Sequence, residues 1–359
     1  MAEHDIYLNH AGTSWPKPQA VVDAVKAAMV RAPSEWGGDF NEAHHLIAAF
    51  FGIQNAEQLL LTPGCTSSLA VGLGDIDLGG RKRVLTSTWE HHALHRPLLK
   101  LKSADVAVAY VGASHDSPFD LNRLEDELSA QDVGLVAMTA AANVTGDLLP
   151  VEGAIELAHR HGAQVLIDAA QVVGWLDLNL VTLGADLVAF GGHKGLQGPW
   201  GIGGLYIGDS ARMKCGDGKY RPGYCDVGSV DQVALAGLRA ALGWLEENHR
   251  SRQLARGREQ IRLIESALED AGARCVRFRE PTQRMPTIAF SVSGQSSTEF
   301  ADSLKKSAIT VGCGLQCAPL AHQTLGSETA GLVRISVGIE QSTSEIEAAI
   351  ETLMALIAS

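Results

Sequence analysis

Lys194 and Asp168 are the two residues whose types and positions most clearly suggest chemistry. Lys194 lies in the glycine-rich segment GGHKGLQGPWGIGG, directly after an apolar run, where missing side chains leave its amine unobstructed. Asp168 follows the apolar run VLI at the end of another predicted strand. A Schiff-base lysine, paired with an aspartate that faces a pyridinium nitrogen, is the signature of a pyridoxal phosphate site. Taken singly, the lysine would be a solvated charge and the aspartate a helix cap.

A phosphate-binding turn is suggested by LLLTPGCTSSLAVGL, which reads as a strand, a turn containing Gly64, and hydroxyl side chains before a helix. Backbone N–H groups at the start of a helix bind phosphate well. Thr66 or Ser67 would equally serve as a plain helix N-cap. The segment is therefore compatible with a phosphate site without establishing one.

Three histidines follow a predicted strand in the segment WEHHALH. His91 is placed so that its imidazole could stack on a cofactor ring. His91, His92 and His95 would also suit a zinc site, but no HExxH motif or cysteine partner lies in register. We therefore predict an aromatic contact from His91 and no bound metal.

Alternating helix and strand patterns must position these residues. From about residue 17 to 245, helical patterns alternate with short β-branched runs, which predicts a parallel α/β sheet. The clearest unit is VEGAIELAHRHG as a helix, AQVLID as a strand ending at Asp168, and ADLVAFGGHK as a strand ending near Lys194. Ligands of open parallel sheets bind outside the carboxyl ends of the strands, which is where both residues would lie.

Two domains are expected from a chain of 359 residues, at roughly 150 residues per domain. We predict a large α/β domain over 14–240, with a mostly parallel sheet. Long helices and short strands after it predict a smaller α+β domain, formed by 1–13 and 241–359. The boundary between the two would fall inside a predicted helix.

Composition argues against several classes of protein. Hydrophobic residues make up 46% of the chain and charged residues 19%, which is typical of a soluble globular protein and not of a disordered one. A net charge of −12 would repel nucleic acid and anionic lipid, so neither is an expected partner. No apolar run approaches the roughly 20 residues of a membrane span, and MAEHDIYLNH lacks signal-peptide features, so we expect a cytoplasmic location. Six cysteines without a CxxC motif make a disulfide framework unexpected.

The order of these motifs resembles one enzyme family. With the Gly64 turn, His91, Asp168 and Lys194 in this sequence, the chain is similar to the class V branch of fold-type I pyridoxal phosphate-dependent transferases, specifically the cysteine desulfurase and selenocysteine lyase group. The likeness runs from IYLNHAGTSWPKP, which resembles the family's YLDNAATS element, to the closing LVRISVGIEQSTSEIEAAIETL. It implies pyridoxal 5'-phosphate as the cofactor and an amino acid as the substrate.

The resemblance also implies roles for residues around the cofactor ring. Lys194 would bind the cofactor covalently, next to His193 of the family's GHK motif. Asp168 would hold the pyridinium nitrogen, and Gln171, three residues on, would hydrogen-bond the ring oxygen. His91 would stack on the face of the ring.

Further roles concern the phosphate and the substrate. Cys65 and Thr66 occupy the family's GTT phosphate turn, with Cys65 in place of the first threonine. Asn143 in AAANVTG would lie near the ring oxygen and the substrate carboxylate, which Arg334 in LVRIS would bind as a bidentate donor. Ser229 in DVGSVDQVALAGL matches the residue whose hydroxyl reaches the phosphate of the other subunit, which implies a homodimer.

The segment ITVGCGLQCAPLAH resembles the catalytic-cysteine loop RxGxHCAPLAH and aligns Cys317 with the nucleophile. Gly312 and Gln316 stand where the family has arginine and histidine. These changes remove a cation that could lower a thiol pKa and a residue that could carry a proton. Activation of the thiol would then come from His91, His322 or the bound substrate.

The predicted activity is removal of sulfur or selenium from L-cysteine or L-selenocysteine, giving alanine and a persulfide on Cys317 that passes to an acceptor protein or thiol. Gly312 and Gln316 favour an alternative, a class V C–S lyase, aminotransferase or epimerase that does not use the cysteine. Cys313 is a minor second candidate for sulfur exchange. A non-catalytic sulfur-carrier subunit is disfavoured because such a scaffold has no need of Lys194 and its partners.

Overall fold

The computed structural model describes residues 5–103, 105–114, 117–130, 132–214, 228–248, 250–279 and 281–358. The strands within these ranges are β1 (Ile6–Leu8), β2 (Leu59–Thr62), β3 (Arg83–Ser87), β4 (Ala107–Val111), β5 (Val133–Thr139), β6 (Gln164–Asp168), β7 (Leu187–Gly191), β8 (Gly203–Ile207), β9 (Arg274–Val276), β10 (Thr287–Ser291), β11 (Ile309–Val311) and β12 (Val333–Ser336). Cys215 and Cys225 lie outside the described residues.

The helices connect these strands in the alternation that the sequence predicts. They are α1 (Gln19–Met29), α2 (Trp36–Phe50), α3 (Cys65–Asp75), α4 (His92–Ser103), α5 (Leu121–Ala130), α6 (Val151–Arg160), α7 (Leu180–Leu183), α8 (Gln232–Glu247), α9 (Arg250–Asp270), α10 (Ser297–Lys306), α11 (Pro319–Leu325) and α12 (Thr343–Ala358). No helix among the described residues is both long enough and apolar enough to cross a membrane.

A seven-stranded sheet with the order β2-β8-β7-β6-β5-β3-β4 forms the centre of the larger part of the chain. β8 is antiparallel to both of its neighbours, while β3 to β7 pair in parallel. Alternate side chains of one strand enter different hydrophobic cores, because successive residues point to opposite faces of a sheet. Val165 and Ile167 of β6 pack in one core and Leu166 in the other. Burial on both faces explains why these strands read as continuous apolar runs.

The remaining strands form two small sheets. β12, β10 and β9 pair antiparallel in that order, and β1 pairs in parallel with β11. Leu8 of β1 packs in a core with Ile288, Phe300 and Leu353, so the first strand joins elements from the end of the chain. The boundaries of the two expected domains stay predictions.

The carboxyl ends of the central strands meet at one edge of the large sheet, as parallel pairing requires. Thr139, Asp168 and Gly191 end β5, β6 and β7 at this edge. Pro63 and Gly64 turn the chain from β2 directly into α3 beside them. The fold therefore brings together segments that are far apart in the sequence.

Candidate active site

A cavity of about 370 Å³ lies at this edge of the sheet, lined by the ends of β5, β6 and β7 and by the start of α3. Nine of the residues predicted from the sequence line it: Gly64, Cys65, Thr66, His91, Asn143, Asp168, Gln171, His193 and Lys194. Arg334 is bonded to one of these residues and Cys317 to the neighbour of another. The structure thus places the nine lining residues around one space and Arg334 and Cys317 next to its wall, while the chemical roles of all of them stay predictions.

Lys194 follows β7 and is half-buried at the cavity. Burial lowers the pKa of its amine, and the nearby carboxylate of Asp168 partly opposes that shift. No hydrogen bond or ion pair holds the amine within the described part of the chain. A Cβ atom at Gly195 would lie 2.3 Å from the carbonyl oxygen of Val173, so glycine is required for the loop to pack this closely. Lys194 therefore presents an amine to the cavity, and its lowered pKa increases the fraction of that amine that is unprotonated and nucleophilic.

Asp168 is held in a fixed orientation at the end of β6, where only 4% of its surface is exposed. Its Oδ1 atom accepts the Ala170 N–H at 2.9 Å and the Cys65 thiol at 3.3 Å. Burial raises the pKa of this carboxyl, and the Ala170 N–H and Lys194 partly oppose the shift. A cation placed against it would favour the charged form. The position thus suits a partner of a protonated ring nitrogen.

The start of α3 faces the same cavity. Its first intrahelical bond runs from the Ser68 N–H to the Gly64 carbonyl at 3.1 Å, so the N–H groups before Ser68 have no acceptor within the helix. Gly64 is the N-cap residue and no side chain caps the helix, which means that neither Thr66 nor Ser67 serves as a plain cap. The first turn also has no acidic residue. Such an end favours an anion such as phosphate.

Cys65 and Gly191 line this end of the cavity and contribute no hydroxyl group to it. The Cys65 thiol points to Asp168 and so links the start of α3 to the carboxylate. Gly191 lines the cavity without a side chain, and a Cβ atom there would make only ordinary contacts of 3.6 Å with Cys65. The hydroxyls available at this end come from Thr66 and Ser67.

His91 lies on another wall of the cavity as a neutral ring. Its Nδ1 atom accepts the Ala93 N–H at 3.0 Å, which leaves the proton on Nε2. Burial, followed by the charge of Lys194, lowers the pKa of His91 to about 4. A neutral imidazole is suited to stacking on an aromatic cofactor. It does not supply the positive charge that would lower the pKa of a nearby thiol.

Two amides complete the wall. Asn143 donates from Nδ2 to the Gln316 carbonyl at 2.8 Å, while its buried Oδ1 has no partner in the described structure. Gln171 donates from Nε2 to the Ala11 carbonyl at 3.1 Å. An unpaired buried acceptor is costly, so Asn143 Oδ1 is placed to receive a donor from a ligand. An amine, a buried carboxylate, a helix start and an open acceptor together fit a phosphorylated pyridine bearing an aldehyde.

Arg334 is a buried cation that has no carboxylate partner among the residues that the structure describes. Its Nη1 donates to the Asn143 carbonyl and its Nη2 to Asn9 Oδ1, both at 2.8 Å, and burial lowers its pKa to about 10. No ion pair to it occurs among the described residues, whereas the buried Arg284 pairs with Glu265 at 2.5 Å. Unpaired buried charges are strongly destabilising. A substrate carboxylate would supply the missing counter-charge.

Gly312 leaves room for this arginine. A Cβ atom at Gly312 would lie 2.9 Å from Asn9 Oδ1 and 3.2 Å from Arg334 Nε. Any larger residue would therefore displace the Asn9–Arg334 pair.

Cys317 lies in the loop between β11 and α11, with an exposed side chain. Its carbonyl accepts the His92 N–H at 2.8 Å, which fixes the loop beside His91. His322 is fully buried, with Nε2 bonded to Gln316 at 2.9 Å and Nδ1 to Ser327 at 2.8 Å. Both of its ring nitrogens are occupied, so His322 is not free to take the thiol proton.

Residues 13–17 form a part of the site to which the sequence analysis assigns no role. Thr13 Oγ1, the Ser14 N–H and Lys17 Nζ all donate to the carbonyl of His193, at 3.0, 3.0 and 2.9 Å. Lys17 also lies 5.1 Å from the ring centroid of Trp200, which lines the cavity. The signal for this contact was the opening motif IYLNHAGTSWPKP.

Ser229 is exposed, shortly before the Asp231 N-cap of α8, and it does not line the cavity. Its expected contact with the phosphate of a second subunit stays a prediction.

Comparisons with known proteins agree on one family. The family model described as aminotransferase class-V matches residues 6–349. A probable cysteine desulfurase of Methanothermobacter thermautotrophicus is 26% identical, over 97% of this chain and 94% of the relative. A probable cysteine desulfurase of Vibrio cholerae is 27% identical, over 95% of this chain and 91% of the relative.

Solved structures share the architecture. The apo cysteine desulfurase from Thermococcus onnurineus superposes with a TM-score of 0.88 at 24% identity, covering 98% of this chain and 94% of that one. The cysteine desulfurase CsdA from Escherichia coli gives a TM-score of 0.85 at 24% identity, with 98% and 94% covered. The predicted α/β fold is thereby confirmed.

Proposed function

Since the chain belongs to the class V aminotransferase family, we propose that it is a cysteine desulfurase that moves sulfur from L-cysteine to Cys317. Family membership makes it a pyridoxal phosphate-dependent enzyme, as the sequence predicts. The observation that carries the desulfurase proposal is an exposed cysteine, Cys317, on a loop whose backbone is bonded to the His92 N–H and to Asn143, the residue that also accepts from Arg334. The relatives named as probable cysteine desulfurases support it.

Different residues of the cavity would bind different parts of the cofactor. Lys194 would attach its aldehyde carbon, Asp168 would face the ring nitrogen, and His91 would cover one face of the ring. The start of α3, with Thr66, would hold the phosphate. When bound, pyridoxal phosphate supplies an electron sink for negative charge at the substrate Cα.

Arg334 binds the amino-acid substrate, and Lys194 transfers its proton. The guanidinium of Arg334 binds the α-carboxylate and fixes the orientation of Cα. The amine of Lys194 removes the proton from Cα and later returns a proton to the product, since its lowered pKa favours the unprotonated base. The buried acceptor of Asn143 orients a donor of the bound substrate.

Sulfur transfer to Cys317 balances without an external oxidant or reductant. The thiolate of Cys317 attacks the substrate sulfur, so that an S–S bond forms as the C–S bond breaks. The electron pair of the C–S bond stays on carbon, which takes up a proton. Cysteine and the enzyme thiol thus become alanine and the enzyme persulfide. An acceptor thiol or protein then removes the outer sulfur.

The proposal also includes a homodimeric assembly and a cytoplasmic location. A homodimer would bring Ser229 of one subunit to the phosphate of the other, which fits its exposed position before α8. We expect selenocysteine to be a second substrate and the location to be cytoplasmic. The net charge of −12 disfavours nucleic acid as a partner.

A second candidate is a C–S lyase of the same family that leaves Cys317 unused. The favouring observation is that the loop supplies no cation or free base, because Gly312 has no side chain and both nitrogens of His322 are bonded. Such an enzyme would release sulfide, pyruvate and ammonia instead of alanine.

Product analysis separates the two functions. The holoenzyme is incubated with L-cysteine and a thiol acceptor, and alanine, pyruvate, ammonia and sulfide are measured. Alanine in step with transferred sulfur supports the desulfurase. Pyruvate and ammonia in equal amounts would establish the lyase instead.

Replacing Asp168 with asparagine should lower turnover by about 10²-fold, the effect of losing one electrostatic stabiliser. The amide keeps an oxygen for the Ala170 N–H and the Cys65 thiol, so cofactor occupancy should fall much less. Occupancy is read from visible absorbance, and Asp126→Asn on the exposed face of α5 is the control. Wild-type turnover in Asp168→Asn would refute the pairing.

Replacing Arg334 with lysine should weaken amino-acid binding by about one to two orders of magnitude, because a charged hydrogen bond contributes roughly 1.5–3 kcal/mol. Lysine lacks the planar fork that bonds a carboxylate in two places. Spectral titration with L-cysteine or a non-reactive analogue measures the change, with the exposed Arg262→Lys as the control. An unchanged titration would assign carboxylate binding to another cation.

A further inference from the structure

The loop that carries Cys317 has an unfavourable backbone at two consecutive residues. Gln316 has a φ of 41° and Cys317 a φ of 57°, both in the left-handed region that residues other than glycine seldom adopt. Such conformations persist only where surrounding contacts hold them. The contacts that hold this one therefore determine where the thiol points.

Gln316 supplies most of those contacts. Its side-chain Nε2 donates to the Leu332 carbonyl at 2.7 Å, and its Oε1 accepts from His322 Nε2 at 2.9 Å. Its own carbonyl accepts from Asn143 Nδ2 at 2.8 Å. His322 is fixed in turn by Ser327 at 2.8 Å. One residue thus ties the loop to α11, to the segment entering β12 and to the cavity wall.

The same bonds connect the thiol to the carboxylate site. Asn143, which holds the Gln316 carbonyl, accepts from Arg334 Nη1 through its own carbonyl at 2.8 Å. Leu332, which accepts from the Gln316 side chain, precedes Arg334 by two residues. The same hydrogen-bond network therefore positions Arg334, which would hold the substrate, and the loop that carries Cys317.

We propose that Gln316 is the positioning residue of the sulfur-transfer step, holding Cys317 in its left-handed conformation so that the thiol meets the substrate sulfur. This inference rests on the proposed function, because it assumes that Cys317 accepts the sulfur. The amide performs this role by donating and accepting at once. A hydrocarbon at position 316 would reproduce neither bond.

The test is Gln316→Met, which keeps the length of the side chain and removes both hydrogen bonds. Persulfide formation on Cys317 should slow by about ten- to hundredfold, since small misplacements of reacting groups have effects of this size. The KM for L-cysteine and the visible spectrum of the holoenzyme should stay near wild type. Gln323→Met, on the exposed face of α11, is the matched control.

Selenocysteine cleavage separates positioning from general damage to the site. In a Cys317→Ser background, Gln316→Met should leave the remaining selenocysteine cleavage unchanged, because no thiol is left to position. An equal loss there, or wild-type persulfide formation in Gln316→Met, would overturn the inference. If Cys317→Ser itself desulfurates cysteine at the wild-type rate, the proposed function fails instead.

Gln316→Glu provides an independent variant if the methionine protein does not fold. Its carboxylate still accepts from His322, but it donates to the Leu332 carbonyl only when protonated. Its deficit in persulfide formation relative to wild type should therefore shrink as the pH is lowered. A deficit that is constant with pH, or no deficit, would contradict the positioning role.

Discussion

Lys194→Ala should leave the protein without covalently attached cofactor and lower turnover by about 10³-fold or more, since it removes both the attachment and the base at Cα. In wild type, borohydride should fix the cofactor to Lys194 and abolish the visible absorbance. The accessible position of the amine at the cavity and its lowered pKa are the reasons for choosing this lysine.

The control for this prediction is Lys26→Ala, on the exposed face of α1. It should retain wild-type turnover and borohydride trapping at Lys194. Peptide mapping after reduction locates the modified lysine. Cofactor trapped on another lysine in Lys194→Ala, at wild-type yield, would show that the attachment site is assigned wrongly.

Cys317→Ser should abolish persulfide formation from L-cysteine while the cofactor spectrum remains. Serine keeps the size of the side chain and lacks a sulfur that can take up another. Some selenocysteine cleavage should survive, because selenium leaves more readily without attack by a thiolate. In wild type the thiol should also alkylate slowly without substrate, since the neutral His91 and the occupied His322 do not activate it.

Cys313→Ser is the matched control, since Cys313 lies in the same loop and is also a free thiol. It should retain persulfide formation. Loss of the persulfide in Cys313→Ser, but not in Cys317→Ser, would move the sulfur acceptor to Cys313. Full desulfuration in both variants would favour the lyase.

Local patterns predicted the strand ends and the helix start of the site well. Apolar runs followed by Asp168 and by Lys194 predicted strands that end at one edge, because buried parallel strands have this appearance. The turn at Gly64, followed by hydroxyl side chains, predicted the start of α3. These features depend on residues that are neighbours in the chain.

Contacts between distant segments do not follow from local sequence patterns. The Cys65 thiol bonds Asp168 across 103 positions, and Asn9 bonds Arg334 across 325. Gln316 stood out in the sequence as a departure from a family pattern. Its side-chain bonds to His322 and Leu332 became visible only in the folded chain, because side-chain direction depends on tertiary packing.

A single-turnover reaction of the holoenzyme with L-cysteine, without any acceptor thiol, tests the central claim most directly. The protein is digested under non-reducing conditions, the mass of the peptide containing Cys317 is measured by mass spectrometry, and free alanine is quantified. We predict one added sulfur atom on Cys317 for each alanine released. Alanine or pyruvate appearing while the Cys317 peptide keeps its original mass would contradict the assignment of this cysteine as the sulfur acceptor.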